Sequence, residues 1–318
     1  MKTKLVYAVV SGENAPYLSQ AFVAVYTARR YNPNAEILLV VDQDTNDVLE
    51  AKLSKIKDYI NQVIVVKTPS DMSKMHRSRF LKTTLRKSIK GDFLYIDTDT
   101  VVCEDLSSID EFDAEVAATL DRHSLVSEHP LIFSIEKNIS SVDLTINDLH
   151  DKYFNGGVMY VKDTPVTHRL FEAWHRNWDM SRKKTTGIDQ PPLALANKQC
   201  GYPIKELGGI WNCQLCDNFM NYLFDAKILH YFASDNKSPY KLNNDSIWKK
   251  VNEENGIPQW LIEDLEHPKK MFVERSLLIY GSDLSYQRSY VHTMFVFHRK
   301  IYKFFEYISK VIVEKKLW

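Results

Sequence analysis

Four short apolar runs, alternating with stretches of helical spacing, constrain the first hundred residues more than any other feature. The runs are Leu5-Val6-Tyr7-Ala8-Val9-Val10, Ile37-Leu38-Leu39-Val40-Val41, Val63-Ile64-Val65-Val66 and Phe93-Leu94-Tyr95-Ile96. Between them, residues 17–31 place Leu18, Ala21, Phe22, Val25 and Tyr26 on one helical face, and residues 46–58 and 78–88 read as helices too. Strands that are apolar throughout must be covered on both faces, so the pattern predicts a parallel sheet between layers of helix. Ligands of such sheets bind beyond the carboxyl ends of the strands. Asp42 and Asp97 each stand directly after such a run.

The chain has 318 residues, enough for one large domain or two smaller ones at about 150 residues each. Hydrophobic residues make up 44% and charged residues 26%, which excludes long disordered, collagen-like or coiled-coil segments. Lys plus Arg and Asp plus Glu are both 41, a net charge of zero, so no basic excess points to nucleic acid. Four cysteines are too few for a disulfide scaffold. The opening apolar run is short and precedes Glu13 and Asn14, which reads as a first strand and not a secretory signal. No apolar run reaches the roughly 20 residues of a membrane span. The expectation is a cytoplasmic protein with reduced thiols.

Later segments are less regular. Val116-Ala117-Ala118-Thr119-Leu120 and Gly157-Val158-Met159-Tyr160-Val161 read as strands, with a helix near 166–180. Residues 123–152 read as a loop-rich insertion. Lys227 to Phe232 reads as a late strand, and 234–284 as polar and irregular.

The sharpest chemical feature is Tyr95-Ile96-Asp97-Thr98-Asp99-Thr100. In extended backbone the side chains at i and i+2 share a face. Two carboxylates so placed repel each other unless a cation lies between them. A hard divalent ion would neutralise them and accept diphosphate oxygens as further ligands. A polar turn after a strand is the other reading of the same residues.

In this context the chain resembles glycosyltransferase family 8, of the GT-A fold, which includes glycogenin and bacterial lipopolysaccharide galactosyl- and glucosyltransferases. The resemblance spans roughly residues 4–240 and rests on five motifs in order: Ile96-Asp97-Thr98-Asp99, Asn155-Gly156-Gly157 before a strand, Asp189-Gln190, Trp211-Asn212, and His230 followed by aromatic residues and Lys237-Ser238-Pro239-Tyr240. The last departs from the family's Lys-Pro-Trp, with Ser238 splitting Lys from Pro and Tyr240 in place of Trp.

The resemblance implies a GT-A domain over residues 1–245 and an extension over 246–318. It implies that Asp97, Asp99 and His230 bind Mn2+ (or Mg2+), a role in which His230 competes with a plain strand-end histidine. The metal would bridge the phosphates of a UDP-sugar donor, with Lys237 on the same phosphates. Tyr17 would stack on the base, beside backbone from Val9, Val10 and Ser11. Arg79, Lys82, Thr98, Asp121, Asn155, Gly156, Gly157 and Asn212 would complete the donor site. Asp189 and Gln190 would lie beneath the anomeric carbon, and the family retains anomeric configuration. An enzyme nucleophile or attack by the acceptor hydroxyl on the face the diphosphate leaves would each give retention. An amide is a poor nucleophile, which favours the second route.

The implied reaction is transfer of glucose or galactose to a glycan or glycolipid hydroxyl, as in lipopolysaccharide or surface polysaccharide. A sugar-1-phosphate nucleotidyltransferase would need a basic Gly-rich loop after the first strand, where Ser11-Gly12-Glu13-Asn14-Ala15-Pro16 carries no base. A non-catalytic glycan- or nucleotide-binding module would not need the carboxylates, His230 and Asp189 together. Cys213-x-x-Cys216 without a second pair reads as buried thiols ahead of zinc. Residues 286–318 are aromatic and basic, with seven Lys and Arg against two Glu. That segment fits an anionic membrane surface, on the inner face of the cytoplasmic membrane, or else helix packing or a homodimer contact.

Overall fold

The computed structural model describes residues 1–13, 16–183, 187–232, 240–272, 294 and 297–314. Its strands are β1 (Lys4–Val9), β2 (Ile37–Val41), β3 (Gln62–Val65), β4 (Phe93–Ile96), β5 (Thr100–Val102), β6 (Val116–Leu120), β7 (Phe154–Val161), β8 (Ile204–Glu206), β9 (Cys213–Gln214) and β10 (Ile228–His230). Its helices are α1 (Tyr17–Tyr31), α2 (Gln43–Lys52), α3 (Lys74–Thr83), α4 (Leu85–Ser88), α5 (Ile132–Ser140), α6 (Pro165–Ser181), α7 (Gln190–Gln199), α8 (Met220–Leu223), α9 (Asp245–Glu253), α10 (Gln259–Leu265) and α11 (Arg299–Glu314).

Seven strands form one sheet in the order β3-β2-β1-β4-β7-β6-β8. All run parallel except β7, which is antiparallel to both β4 and β6. The expected parallel sheet is thus interrupted by one reversed strand, beside the central β4. Along β1, Val6, Ala8 and Val10 face a core built with Leu81, Leu85, Leu170, Trp174 and Leu193 from α3, α4, α6 and α7. By alternation Leu5, Tyr7 and Val9 face the other side, and they too are buried. There α1 packs on β1 and on β5. Burial on both faces explains why β1 and β2 read as unbroken apolar runs.

Helix boundaries follow local caps. Asp42 caps α2 by accepting the Thr45 N–H at 3.0 Å, and a 3-10 turn replaces α-helix after Leu53. Ser73 caps α3, accepting from His76 N–H at 3.2 Å. The reading of 78–88 as one helix gives way to two, divided at Thr84. In the stretch read as a loop-rich insertion, Val126, Ile135, Ile139, Val142, Leu144 and Leu149 form a small core with Tyr153, just beyond it.

A second sheet, in the order β5-β10-β9, decides where the chemistry sits. The chain leaves the main sheet after Ile96, and Thr100 pairs antiparallel with His230. The Thr100 hydroxyl donates to the Asp97 carbonyl at 2.7 Å, and Tyr231 N–H to the Asp99 carbonyl at 3.1 Å. Residues far apart in sequence thereby meet at one edge.

One compact unit comprises Met1–Val273 and another Glu274–Trp318. The expected division at 245 precedes α9 and α10, which lie within the first unit. There Ile247, Trp248, Val251, Leu261 and Leu265 are buried, in a stretch read from sequence as irregular. Each helix has only one or two turns of apolar spacing, too little periodicity to stand out. In the second unit, the described part is chiefly α11. No helix among the described residues is long and apolar enough to cross a membrane.

Candidate active site

A cleft of about 520 Å3 opens beyond the carboxyl ends of β1 and β4. Its wall includes Val9 and Val10 from the end of β1, Tyr17 from the start of α1, and Arg79 and Lys82 from α3. Asp97, Thr98 and Asp99 follow β4, Asn155, Gly156 and Gly157 belong to β7, and Asp189 and Gln190 open α7. His230 ends β10. Of the seventeen described residues named from the sequence, fourteen line this cleft, all but Ser11, Asp121 and Asn212.

The ligand atoms of Asp97, Asp99 and His230 lie within 4.8 Å of one another, the one such group of three among the described residues. His230 Nε2 is 3.2 Å from Asp99 Oδ1. On the other side of the ring, Nδ1–H donates to Asn212 Oδ1 at 3.0 Å, which directs Nε2 toward the carboxylates. Two carboxylate oxygens and an imidazole nitrogen suit Mn2+ or Mg2+, so the residues present fit a divalent ion. Burial disfavours a charged His230, but Asp99 and then Asp97 outweigh it and hold its proton more tightly than an ordinary imidazole's.

Close packing fixes that ring. Phe232 stacks on it at 4.2 Å between centroids. Gly157 lies against its Cε1 and Nδ1 atoms, where a Cβ would come within 2.5 Å of Cε1. The β4–β7 register that puts Ile96 opposite Val158 also lets Asp97 N–H donate to the Gly157 carbonyl at 2.7 Å.

A cationic pair lines the opposite wall. Lys82 Nζ reaches Asp97 Oδ1 at 3.2 Å and Asp189 Oδ2 at 3.7 Å, and Arg79 Nε is 3.0 Å from Asp189 Oδ1. Arg79 and Lys82 are i and i+3 on α3, so one helical face delivers both. Burial alone pushes the Asp189 carboxyl up. The Lys82 ammonium and Arg79 guanidinium outweigh it and hold the group below the usual carboxylate range. Trp174 Nε1–H fixes the Asp189 backbone by donating to its carbonyl at 2.8 Å. Gln190 donates its side-chain N–H to the Phe154 carbonyl at 3.0 Å.

Three sequence-named residues lie outside the cleft wall. Ser11 is buried and organises its own loop: its N–H donates to Thr45 Oγ1 at 2.8 Å, and its hydroxyl accepts from Leu18 N–H at 3.3 Å. Asn212 is fully buried behind His230, and Asp121 stands behind Asn155, with Asn155 Nδ2–H donating to Asp121 Oδ1 at 3.0 Å. Asn212 bonds both Asn155 and His230, so these two residues touch the cleft wall from behind. Lys237 lies outside the described residues. Tyr240 is buried and donates to the Pro268 carbonyl at 2.8 Å.

Gln20, Lys74, Met75, Ser78, Tyr95, Leu193 and Phe232 also line the cleft and were not singled out from sequence. Tyr95 hydrogen-bonds the Asp97 carboxylate through its hydroxyl. Its i, i+2 relation to Asp97 on an extended strand is the local signal that could have found it. All four cysteines are free, and burial pushes the Cys213 thiol up to about 12. Neither Cys213 nor Cys216 belongs to a metal-ligand group among the described residues.

The sequence profile of glycosyl transferase family 8 matches residues 8–238. The chain belongs to glycosyltransferase family 8. Solved structures share its GT-A fold. The galactosyltransferase LgtC, in complex with donor and acceptor sugar analogs, superposes with a TM-score of 0.51 at 16% identity, covering 82% of this chain and 99% of that one. The bifunctional glycosyltransferase WbbM, in its apo form, gives 0.53 at 17% identity, covering 82% of this chain and 50% of that one. The apo glycosyltransferase GlyE of Streptococcus pneumoniae TIGR4 gives 0.50 at 16% identity, covering 84% and 65%. No curated protein matches by sequence. As a family 8 member the chain is a glycosyltransferase; enzymes of this fold usually use a divalent metal, and the chain has an Asp-Asp-His group able to hold one.

Proposed function

We propose that this transferase moves glucose or galactose from a UDP-sugar to a sugar hydroxyl of a growing glycan, with retention, using Mn2+ (or Mg2+) held by Asp97, Asp99 and His230. The observation that carries the reading is the convergence of those three side chains on one cleft, facing Asp189 and Gln190 across it. Bound there, the ion offsets the charge of the donor diphosphate and of the departing UDP. Tyr17, 47% exposed at the cleft, offers its ring to the uracil. Gly156 leaves room for the sugar: the nearest side-chain atoms to a Cβ built there are 3.6 Å away.

Asp189 faces positive charge that develops on the anomeric carbon. Its two cationic neighbours keep it ionised and lower its basicity, which suits an electrostatic role better than a nucleophilic one. Gln190, its N–H turned to Phe154, has its amide oxygen left to meet the sugar. The acceptor oxygen then forms its bond to the anomeric carbon as the bond to UDP breaks on the same face. The acceptor proton passes to the phosphate oxygen that leaves.

Acceptor and location are part of the same proposal: a lipopolysaccharide or surface glycan reached at the inner face of the cytoplasmic membrane. On α11, Ile301, Phe304, Phe305 and Ile308 recur at i, i+3, i+4 and i+7, and Arg299, Lys300 and Lys303 supply positive charge.

A thermal-shift screen of UDP-glucose, UDP-galactose and UDP, with and without Mn2+, tests the core of the reading. A ligand at about a hundred times its Kd stabilises the fold by about 2.7 kcal/mol. The expected result is a rise in Tm with UDP-sugar plus Mn2+ that Asp99→Asn abolishes, and slow release of UDP in the same mixture. No shift with any UDP-sugar in the presence of Mn2+ would overturn it.

A further inference from the structure

We propose that His129 is a positioning residue for the metal-binding imidazole of His230, acting through a relay of three buried or half-buried side chains, Asp121, Asn155 and Asn212. The inference rests on the reading of Asp97, Asp99 and His230 as a divalent-cation site.

Each link has one consistent donor and acceptor. Leu131 N–H donates to His129 Nδ1 at 3.0 Å, which puts the His129 proton on Nε2. That Nε2–H donates to Asp121 Oδ2 at 3.1 Å. Asp121 Oδ1 accepts from Asn155 Nδ2–H at 3.0 Å. Asn155 is thereby turned so that its Oδ1 accepts from Asn212 Nδ2–H at 3.1 Å, and from Gly157 N–H at 2.9 Å. Asn212 in turn offers its Oδ1 to His230 Nδ1–H at 3.0 Å. Two backbone N–H groups, Leu131 at one end and Gly157 at Asn155, agree on the direction of the bonds, and the outcome at the other end is a His230 whose Nε2 faces the carboxylates.

The relay is dry enough for this order to matter. The side chain of His129 is 1% exposed, and Asn212 is fully buried. A buried amide that flips would set donor against donor, at a cost of about 1–3 kcal/mol. Asp121 is an acceptor twice over only while it is a carboxylate. Burial pushes its pKa up, but the bonds from His129 and Asn155 more than reverse this. Without the His129 N–H, Asp121 loses one of the two side-chain donors that hold it, and the carboxylate that aims Asn155 is freer to turn. Asp121 is itself aimed by its surroundings. Its N–H donates to the Tyr153 carbonyl at 2.8 Å, and the next two residues, Arg122 and His123, take positive φ of 50° and 55°. Gln214 holds that turn, accepting from Arg122 N–H at 2.9 Å. Metal-binding histidines commonly have the second ring nitrogen tied in this way, and loss of such partners typically costs about 10–100-fold in metal affinity.

The test is a titration of the full chain with Mn2+ and no donor, following free Mn2+ by its electron paramagnetic resonance signal. Wild type is compared with Asp99→Asn, His129→Ala, His129→Gln and Asp121→Asn, each checked for folding by circular dichroism. Gln can place an N–H near the Nε2 position, so it serves as the rescue. The expected result is an affinity lower by about 10-fold or more in His129→Ala and Asp121→Asn, restored to within about threefold of wild type in His129→Gln. Because the two residues act in one chain, His129→Ala combined with Asp121→Asn should lose little more than either alone. Asp99→Asn weakened while His129→Ala binds as wild type would overturn the relay alone. A wild type that takes up no Mn2+, or an Asp99→Asn that binds as tightly, would overturn the metal reading and the relay with it. Should His129→Ala not fold, the contrast between His129→Gln and Asp121→Asn decides: equal weakening of both, or of neither, overturns the relay.

Discussion

Gly157 and His230 occupy space that one more carbon would deny them: a Cβ on Gly157 would stand 2.5 Å from His230 Cε1 and 2.8 Å from Nδ1. Gly156, one residue earlier on the same strand, would meet nothing closer than 3.6 Å. The two glycines therefore predict different outcomes. Gly157→Ala must push the imidazole away from Asp97 and Asp99, or strain β7. It should lower Mn2+ affinity by about 10-fold or more and stability by about 1–3 kcal/mol. Gly156→Ala should leave Mn2+ binding and Tm near wild type and act instead on the KM for donor, because its Cβ enters the cleft. Metal titration, calorimetry and donor kinetics on both variants check this; equal Mn2+ affinities would contradict the argument.

Tyr17 predicts a separable effect. Its ring is 47% exposed at the cleft. Tyr17→Ala should raise donor KM by about tenfold, the loss of about 1.4 kcal/mol expected for one aromatic stack, with kcat changed far less. Tyr17→Phe should behave as wild type. Steady-state kinetics over a range of UDP-sugar separates the two parameters; a loss confined to kcat would refute stacking.

Much of this site was legible in the residues alone, for reasons that particular elements make plain. Asp97 ends an unbroken apolar strand, so both its position at the sheet's carboxyl edge and its i, i+2 partner Asp99 follow from local pattern. The meeting of His230 with Asp99 does not. It depends on Thr100 pairing with His230 within the second sheet, a register that no window of sequence contains. The same holds for the reversal of β7. That Asn212 and Asp121 both bond Asn155 is likewise a tertiary relation that no motif contains. His129, in Ser127-Glu128-His129-Pro130, carries no local signal at all. Helices α9 and α10 were missed because their apolar faces span too few turns to show a period.

The pairing of Asp189 with Lys82 and Arg79 gives a pH dependence with a definite sign. Its folded pKa lies below the ordinary carboxylate value. The stabilisation it contributes is present above its unfolded pKa and is lost as pH falls through the lower, folded one. Asp189 should therefore stay ionised below the usual carboxylate range. Lys82→Met removes the stronger of the two cations, so the acid limb should move to higher pH, in both kcat and Tm. Arg79→Gln should move it the same way. Parallel pH profiles of rate and of melting check the direction; an acid limb unmoved in both variants would show that another group sets it.

The same ion pairs bear on how configuration is retained. A carboxylate that is to attack the anomeric carbon needs a lone pair with appreciable basicity, and Asp189 has one oxygen 3.0 Å from Arg79 Nε and the other 3.7 Å from Lys82 Nζ. Both interactions weaken it as a nucleophile and strengthen it as a fixed negative charge. Asp189→Asn keeps the shape, removes the charge and leaves both cations uncompensated. It should lower kcat by about 100-fold or more, the scale of losing an electrostatic partner of the transition state, while Mn2+ affinity stays near wild type because Asp97 remains in place. No glycosyl adduct should accumulate at residue 189 when wild type is quenched during turnover, or when a slowed donor analogue is used. Intact-protein mass spectrometry followed by peptide mapping reads this directly, and a hexose found covalently on Asp189 would replace front-face attack with a two-step route through the enzyme.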